Sequence, residues 1–115
     1  MRVQVFVFGS NLAGFHGGGA ALHAAEQWGS VPGEGVGRTG NAYAIPTMDG
    51  EFRQLPLARI APHVAVFIDY ARSHPNTEFL LTRIGCGIAG YDWERDIAPL
   101  FPAALPFNIT PLDPQ

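Results

Sequence analysis

Val3–Trp28 reads VQVFVFGSNLAGFHGGGAALHAAEQW. It opens on an apolar run, Val3 to Phe8, with the length and the β-branched and aromatic content of a buried strand. Gly9, Ser10 and Asn11 then turn the chain. Gly17, Gly18 and Gly19 lead into Ala20 to Trp28, an alanine-rich helix whose small side chains suit close packing on a sheet. Gly29 is its stop. Strand, glycine loop and helix start, in that order, suit an anion. Glycines let backbone N–H groups approach it, and the helix dipole favours negative charge. A second reading, that the glycines only make room for helix–sheet packing, has to explain three adjacent glycines that cost backbone entropy.

At 115 residues, 47% of them apolar and 15% charged, the chain fits one globular domain with a core that needs no disulfides. The sparse charge leaves surface for a homodimer interface. The net charge is −3 and there is no basic cluster, so nucleic acid is not an expected partner. Every basic residue is Arg, which excludes a P-loop or Schiff-base lysine and leaves arginine for any charged contact to phosphate. Cys86 alone forms no internal disulfide and fits a reducing, cytoplasmic compartment. The chain has neither a membrane-length apolar run nor a leader-like start, so no membrane or secretory role is expected.

Further along, Ser30 to Asn41 reads as a glycine-rich loop and Ala42 to Pro46 as a short strand ended by its proline. Thr47 to Gly50 is the turn after it. Leu57 to Ser73 is the clearest helix, with Ile60, Val64, Phe67, Ile68 and Ala71 at core spacing. Glu78 to Arg83 is a strand. Gly85 to Tyr91 (GCGIAGY) is a second glycine-rich turn. Asp92 to Phe101 reads as a short helix capped by Asp92, Leu105 to Thr110 as a weak last strand, and Pro111 to Gln115 as a fraying tail. This alternation predicts a three-layer α/β/α domain with a mixed, mostly parallel sheet. Ligands in such sheets bind beyond the C-terminal strand ends, where Gly9–Gly19, Thr47–Gly50 and Gly85–Tyr91 meet.

Neither a Rossmann fingerprint nor a Walker motif is present: the glycine triplet lies too far from the strand, and no Gly-Lys-Ser/Thr follows. Instead, Asn11 followed by Gly17-Gly18-Gly19, paired with Gly87-Ile88-Ala89-Gly90-Tyr91, resembles the macrodomain family. The resemblance spans Val3 to Phe101, with Gly85 and Cys86 standing where the family often has Ser and Thr. It implies a macro-like topology and binding of ADP-ribose or a related ribose-diphosphate nucleotide. Asn11 would contact the distal ribose. Backbone N–H groups of Gly17 to Ala20 and Gly87 to Tyr91 would clamp the diphosphate, with Gly9, Ser10, Gly85 and Cys86 completing the two turns. Family members usually carry earlier strands with an adenine-binding Asp. With no such strand expected ahead of Val3, recognition of the base would fall to another residue, such as Asp49. Hydrolase members often place an acid two positions after the triplet, and here that position is Ala21.

A mechanism using that acid is thus not available; the alternative function is a hydrolase of ADP-ribosyl or ADP-ribose-phosphate bonds, with water held by Asn11 and with His16, whose ordinary pKa lies near neutrality, as acid or base. No cofactor is implied, and no His or Cys pair has metal-ligand spacing. Cys86 sits where a thiolate would be stabilised, but a small residue in a tight phosphate turn explains it equally. Tyr91 either faces ligand or packs. His23 lies one helix face beyond His16, His63 and His74 are expected to face solvent, and Arg38 and Arg83 are the cations nearest the two loops.

Overall fold

A computed structural model describes Arg2–Asp113. Among these residues five strands form one sheet in the order β2-β3-β1-β4-β5: β1 (Val3–Asn11), β2 (Gly37–Thr39), β3 (Ala42–Met48), β4 (Thr77–Leu81) and β5 (Ile109–Pro111). Helix α1 (Gly19–Gln27) joins β1 to β2, and α2 (Leu57–Arg72) joins β3 to β4. The β1–β3, β1–β4 and β4–β5 pairs are parallel, and β2–β3 is antiparallel. The expected mixed, mostly parallel α/β sheet is what the chain forms.

Strand alternation sets the layers. Val5 and Val7 of β1, Tyr43 and Ile45 of β3, and Phe79 and Leu81 of β4 pack with Ile60, Val64, Phe67, Ile68 and Ala71 of α2. Phe6 and Phe8 point to the other face with Ala42 and Ala44, under Ala21 and Ala24 of α1. The β1-to-β3 crossover runs one way along the sheet and the β3-to-β4 crossover runs back over β1. Crossovers of one hand running in opposite directions put their helices on opposite faces. The loops leaving β1 and β3 therefore part, and a crevice opens at the strand ends.

Several boundaries differ from the sequence expectation. β1 runs on through Gly9 and Ser10 to Asn11. Pro46 does not end β3, which continues to Met48. Its missing N–H costs no ladder bond on the outer side, because β2 pairs only with Ala42 to Ala44. The glycine-rich loop at 30–41 holds an edge strand, β2, hairpinned to β3 through Gly40 in the left-handed region. The expected Asp92–Phe101 helix is a π-helical turn, Trp93–Ile97, followed by a 3-10 turn, Ala98–Leu100. Its Asp92 cap is present: the Arg95 N–H donates to Asp92 Oδ2 at 2.7 Å. The last strand starts only at Ile109. In the tail, Pro111 belongs to β5 and the Leu112 N–H donates to Leu81 O at 2.8 Å, while Pro114 and Gln115 lie outside the described residues. No helix among the described residues is long and apolar enough to cross a membrane.

Candidate functional site

A cleft of about 500 Å³ occupies the C-terminal strand edge. Gly9, Ser10 and Asn11 of β1 reach it from one strand, and Thr47 and Met48 of β3 from the next. Thr82 to Gly85 and Gly87 to Ala89 reach it from beyond β4, and Gly17 to Ala21 from the start of α1. Phe15 and Phe52 complete the wall. The two glycine turns named from the sequence thus meet across one opening.

The glycines differ in purpose. A Cβ at Gly18 or Gly87 would meet nothing within 4 Å. Open space there means that neither glycine was needed for helix–sheet packing, and both expose bare backbone to the cleft. Gly19 begins the helix at φ +57, which an L side chain adopts at a cost. Gly17 is bare for another reason, since its Cβ would strike the Phe15 ring at 2.4 Å. At the floor, a Cβ at Gly9 would lie 3.1 Å from the Gly85 N, so these glycines let the β1 and β4 loops close up. Gly18 caps α1 with no side-chain bond, and the first turn holds no acidic residue. The first intrahelical bond runs from the Leu22 N–H to Gly18 O at 3.1 Å. The N–H groups ahead of Leu22 are thus left free by the helix and turned toward its positive end.

Asn11 is 4% exposed and lines the cleft, but its amide is already engaged. Nδ2 donates to Phe15 O at 2.9 Å and Oδ1 accepts the Phe15 N–H at 3.0 Å. It holds the β1–α1 loop in shape, with one Nδ2 hydrogen and one Oδ1 lone pair to spare. Ser10, also buried, donates from Oγ to Gly35 O. Thr47 and Thr82 donate to Ser10 O at 3.4 Å and Val7 O at 2.8 Å, tying the three strand ends together. Arg83 is exposed, lines the cleft and forms no ion pair with a described residue. Arg38 lies elsewhere, donating to Gly40 O, the Tyr70 hydroxyl and Asn41 Oδ1.

Other candidates stand behind the wall. His16 is 6% exposed and is not among the lining residues. Its Nδ1 lies 2.9 Å from Ser30 Oγ, its ring meets Phe8 edge-on, and Nε2 has no partner among the described residues. Burial pushes its pKa down, opposed only in part by the nearby Glu34 backbone. It supports the glycine loop from beneath and is not placed as an acid or base facing the cleft. Asp49 is likewise a turn residue. Oδ1 accepts the Glu51 and Arg53 N–H groups at 2.8 and 3.0 Å, and Oδ2 accepts Arg53 Nε at 3.1 Å. The Arg53 and then the Glu51 backbone bonds hold its carboxyl below the usual range.

Cys86 packs against the main core, donates weakly from Sγ to Ile84 O, and has its pKa raised by burial, the reverse of a stabilised thiolate. Tyr91 packs on that core and donates its hydroxyl to Leu55 O. Its pKa is raised by burial and then by the Asp96 charge. Gln54 Nε2 donates to Ala89 O at 2.7 Å. Together, Tyr91 and Gln54 brace the second glycine turn from outside, and Gly90 supplies its left-handed bend at φ +83. Cys86, Gly90 and Tyr91 thus shape the turn without lining the cleft.

His23 is exposed and accepts from Trp28 Nε1 at 3.3 Å. His74 is not solvent-facing as expected: half-buried, it stacks on Tyr70 with ring centroids 4.0 Å apart. Among the described residues no group of three His, Cys, Asp or Glu gathers, and no carboxylate lines the cleft.

Phe15 and Phe52 carried no weight in the sequence reading. Their rings meet edge-on at 5.7 Å, and they stay 63% and 49% exposed. The available signal was an unpaired aromatic in each of two loops at the ligand edge. Comparison of the chain with protein-family models, curated proteins and solved structures finds no match.

Proposed function

We propose that this cleft binds ADP-ribose or a closely related ribose-diphosphate nucleotide, as the macrodomain resemblance implies. One observation carries the reading: Gly18 and Gly87, on opposite loops of one cleft, each turn bare backbone toward open space. Glycines placed that way suit an anion too bulky to pass a Cβ. The free first-turn N–H groups of α1 take one phosphate, the Gly87 side takes the other, and Arg83 supplies the cation. The spare hydrogen-bonding capacity of Asn11 is directed to a ribose hydroxyl. Binding is favoured over hydrolysis because the residues lining the cleft include neither a carboxylate nor an imidazole to move a proton. A cytoplasmic setting, where such nucleotides are made, goes with this reading, as does the reduced Cys86.

Titration calorimetry with ADP-ribose, ADP and ribose 5-phosphate tests it. ADP-ribose should bind most tightly, and Arg83→Ala should weaken it about three- to tenfold, the effect shrinking in high salt. Absence of heat and of thermal stabilisation with ADP-ribose would sink the reading.

A further inference from the structure

The Phe15–Phe52 pair is the feature of the cleft that phosphate and ribose contacts leave unused. Both rings sit at its wall and remain about half exposed or more, although each could have been a polar loop residue. Phe52 has φ +63, making it the non-glycine residue of the described chain in the left-handed region. For a bulky side chain that conformation costs about 1–2 kcal/mol. The neighbouring Gly50 would adopt it freely, yet the strain falls on the aromatic. The turn is held there by the Phe52 N–H donating to Asp49 O at 3.2 Å and by the Arg53 N–H donating to Asp49 Oδ1 at 3.0 Å. Phe15 is fixed just as firmly, with both its backbone polar groups bonded to the Asn11 amide and its ring lying over Gly17. Two residues so held, their rings edge-on to one another and both lining the cleft, leave exposed aromatic surface at its wall.

That corner adjoins Asn11. This inference rests on the proposed function, in which Asn11 meets the distal ribose. We infer that the ligand carries a planar aromatic group at C1′ of that terminal ribose, seated in the Phe15–Phe52 corner with its face on one ring and its edge toward the other. The ligand class is then an ADP-ribose with an N-glycosidic aromatic base at its far end. Free nicotinamide dinucleotide and an ADP-ribosylated nucleobase share that chemistry. Of the other polar side chains lining the cleft, Ser10, Thr47 and Thr82 donate their hydroxyls to backbone carbonyls and Arg83 is assigned to phosphate. Recognition by π face therefore tolerates different bases.

The test is calorimetry on the full chain with three probes: ADP-ribose, oxidised nicotinamide dinucleotide, and ADP-ribose N-linked at C1′ to a neutral pyrimidine. Wild-type protein should bind at least one of the base-bearing probes about tenfold more tightly than ADP-ribose. A gain confined to the nicotinamide compound identifies the dinucleotide; a gain with the pyrimidine conjugate identifies an ADP-ribosylated base. In Phe52→Gly, which keeps the backbone conformation accessible, and in Phe15→Ala, the margin over ADP-ribose should shrink to about twofold or less. Equal affinity for all three probes, or a margin that survives both substitutions, overturns the stacking corner while leaving ADP-ribose binding intact. No binding of any probe overturns both, and thermal unfolding of each variant shows whether it is folded.

Discussion

Asn11 grips Phe15 by both backbone polar groups, with Nδ2 donating to the carbonyl at 2.9 Å and Oδ1 accepting the N–H at 3.0 Å. The amide thus builds the loop that carries Gly17 to Gly19. Asn11→Ala breaks two bonds in a buried place and should cost about 1–3 kcal/mol of stability, seen as a lower melting temperature. Asn11→Asp keeps the acceptor for the Phe15 N–H but sets a carboxylate oxygen against Phe15 O. It should be at least as damaging near neutral pH and should recover in part as the carboxyl protonates in acid.

Gly35 meets the same residue from the other side. A Cβ there would lie 2.1 Å from Asn11 O, a backbone atom that cannot swing away. Gly35→Ala should destabilise by about 3 kcal/mol or more, as overpacking against fixed neighbours does. Chemical denaturation will measure it. A loss below 1 kcal/mol would mean that this contact relaxes freely.

Gly18→Ala separates packing from binding. Gly18 has an extended backbone and open space around its missing Cβ. Its melting temperature should barely change, while ADP-ribose affinity falls about tenfold as the methyl blocks the phosphate approach. Unaltered affinity would move the phosphate elsewhere.

His16 makes stability pH-dependent. Burial lowers its pKa in the folded state, so between its ordinary value near 6.5 and the lower folded value the unfolded chain binds more protons. Stability is fully present above about pH 6.5 and falls as the pH drops below that. Melting temperatures at pH 7.5 and 5.0 should differ more for wild type than for His16→Gln. Asp49, Glu78 and Asp96 are held low, so their contribution persists across this range and is lost only in more acid solution.

Tyr91→Phe removes the bond to Leu55 O that braces the second glycine turn. The expected loss is about 1 kcal/mol. Amide exchange should quicken across Gly85–Tyr91 in this variant while the β1 core stays protected.

The strand-and-helix alternation, the core face of α2 and the Asp92 cap follow from local periodicity and chemistry. They were legible because each depends on neighbours a few residues away. The meeting of Gly9–Asn11, Gly17–Ala20 and Gly85–Ala89 at one edge was legible too, since right-handed crossovers leave parallel strands little choice. What only the tertiary structure decided is what each polar side chain does once there. Asn11 and Asp49 look like ligand contacts in the sequence, but backbone groups two to four residues on engage their acceptors first. His16 stands beside the glycines in sequence and beneath them in space, because the loop's turn at Asn11–Phe15 points it at Ser30 and Phe8. The Phe15–Phe52 corner joins loops 37 positions apart, and β2 pairs only because β3 offers an open edge. The last three outcomes rest on contacts between residues that no local period links, where geometry alone selects the partner, while the Asn11 and Asp49 bonds are local but depend on a loop shape that periodicity does not encode.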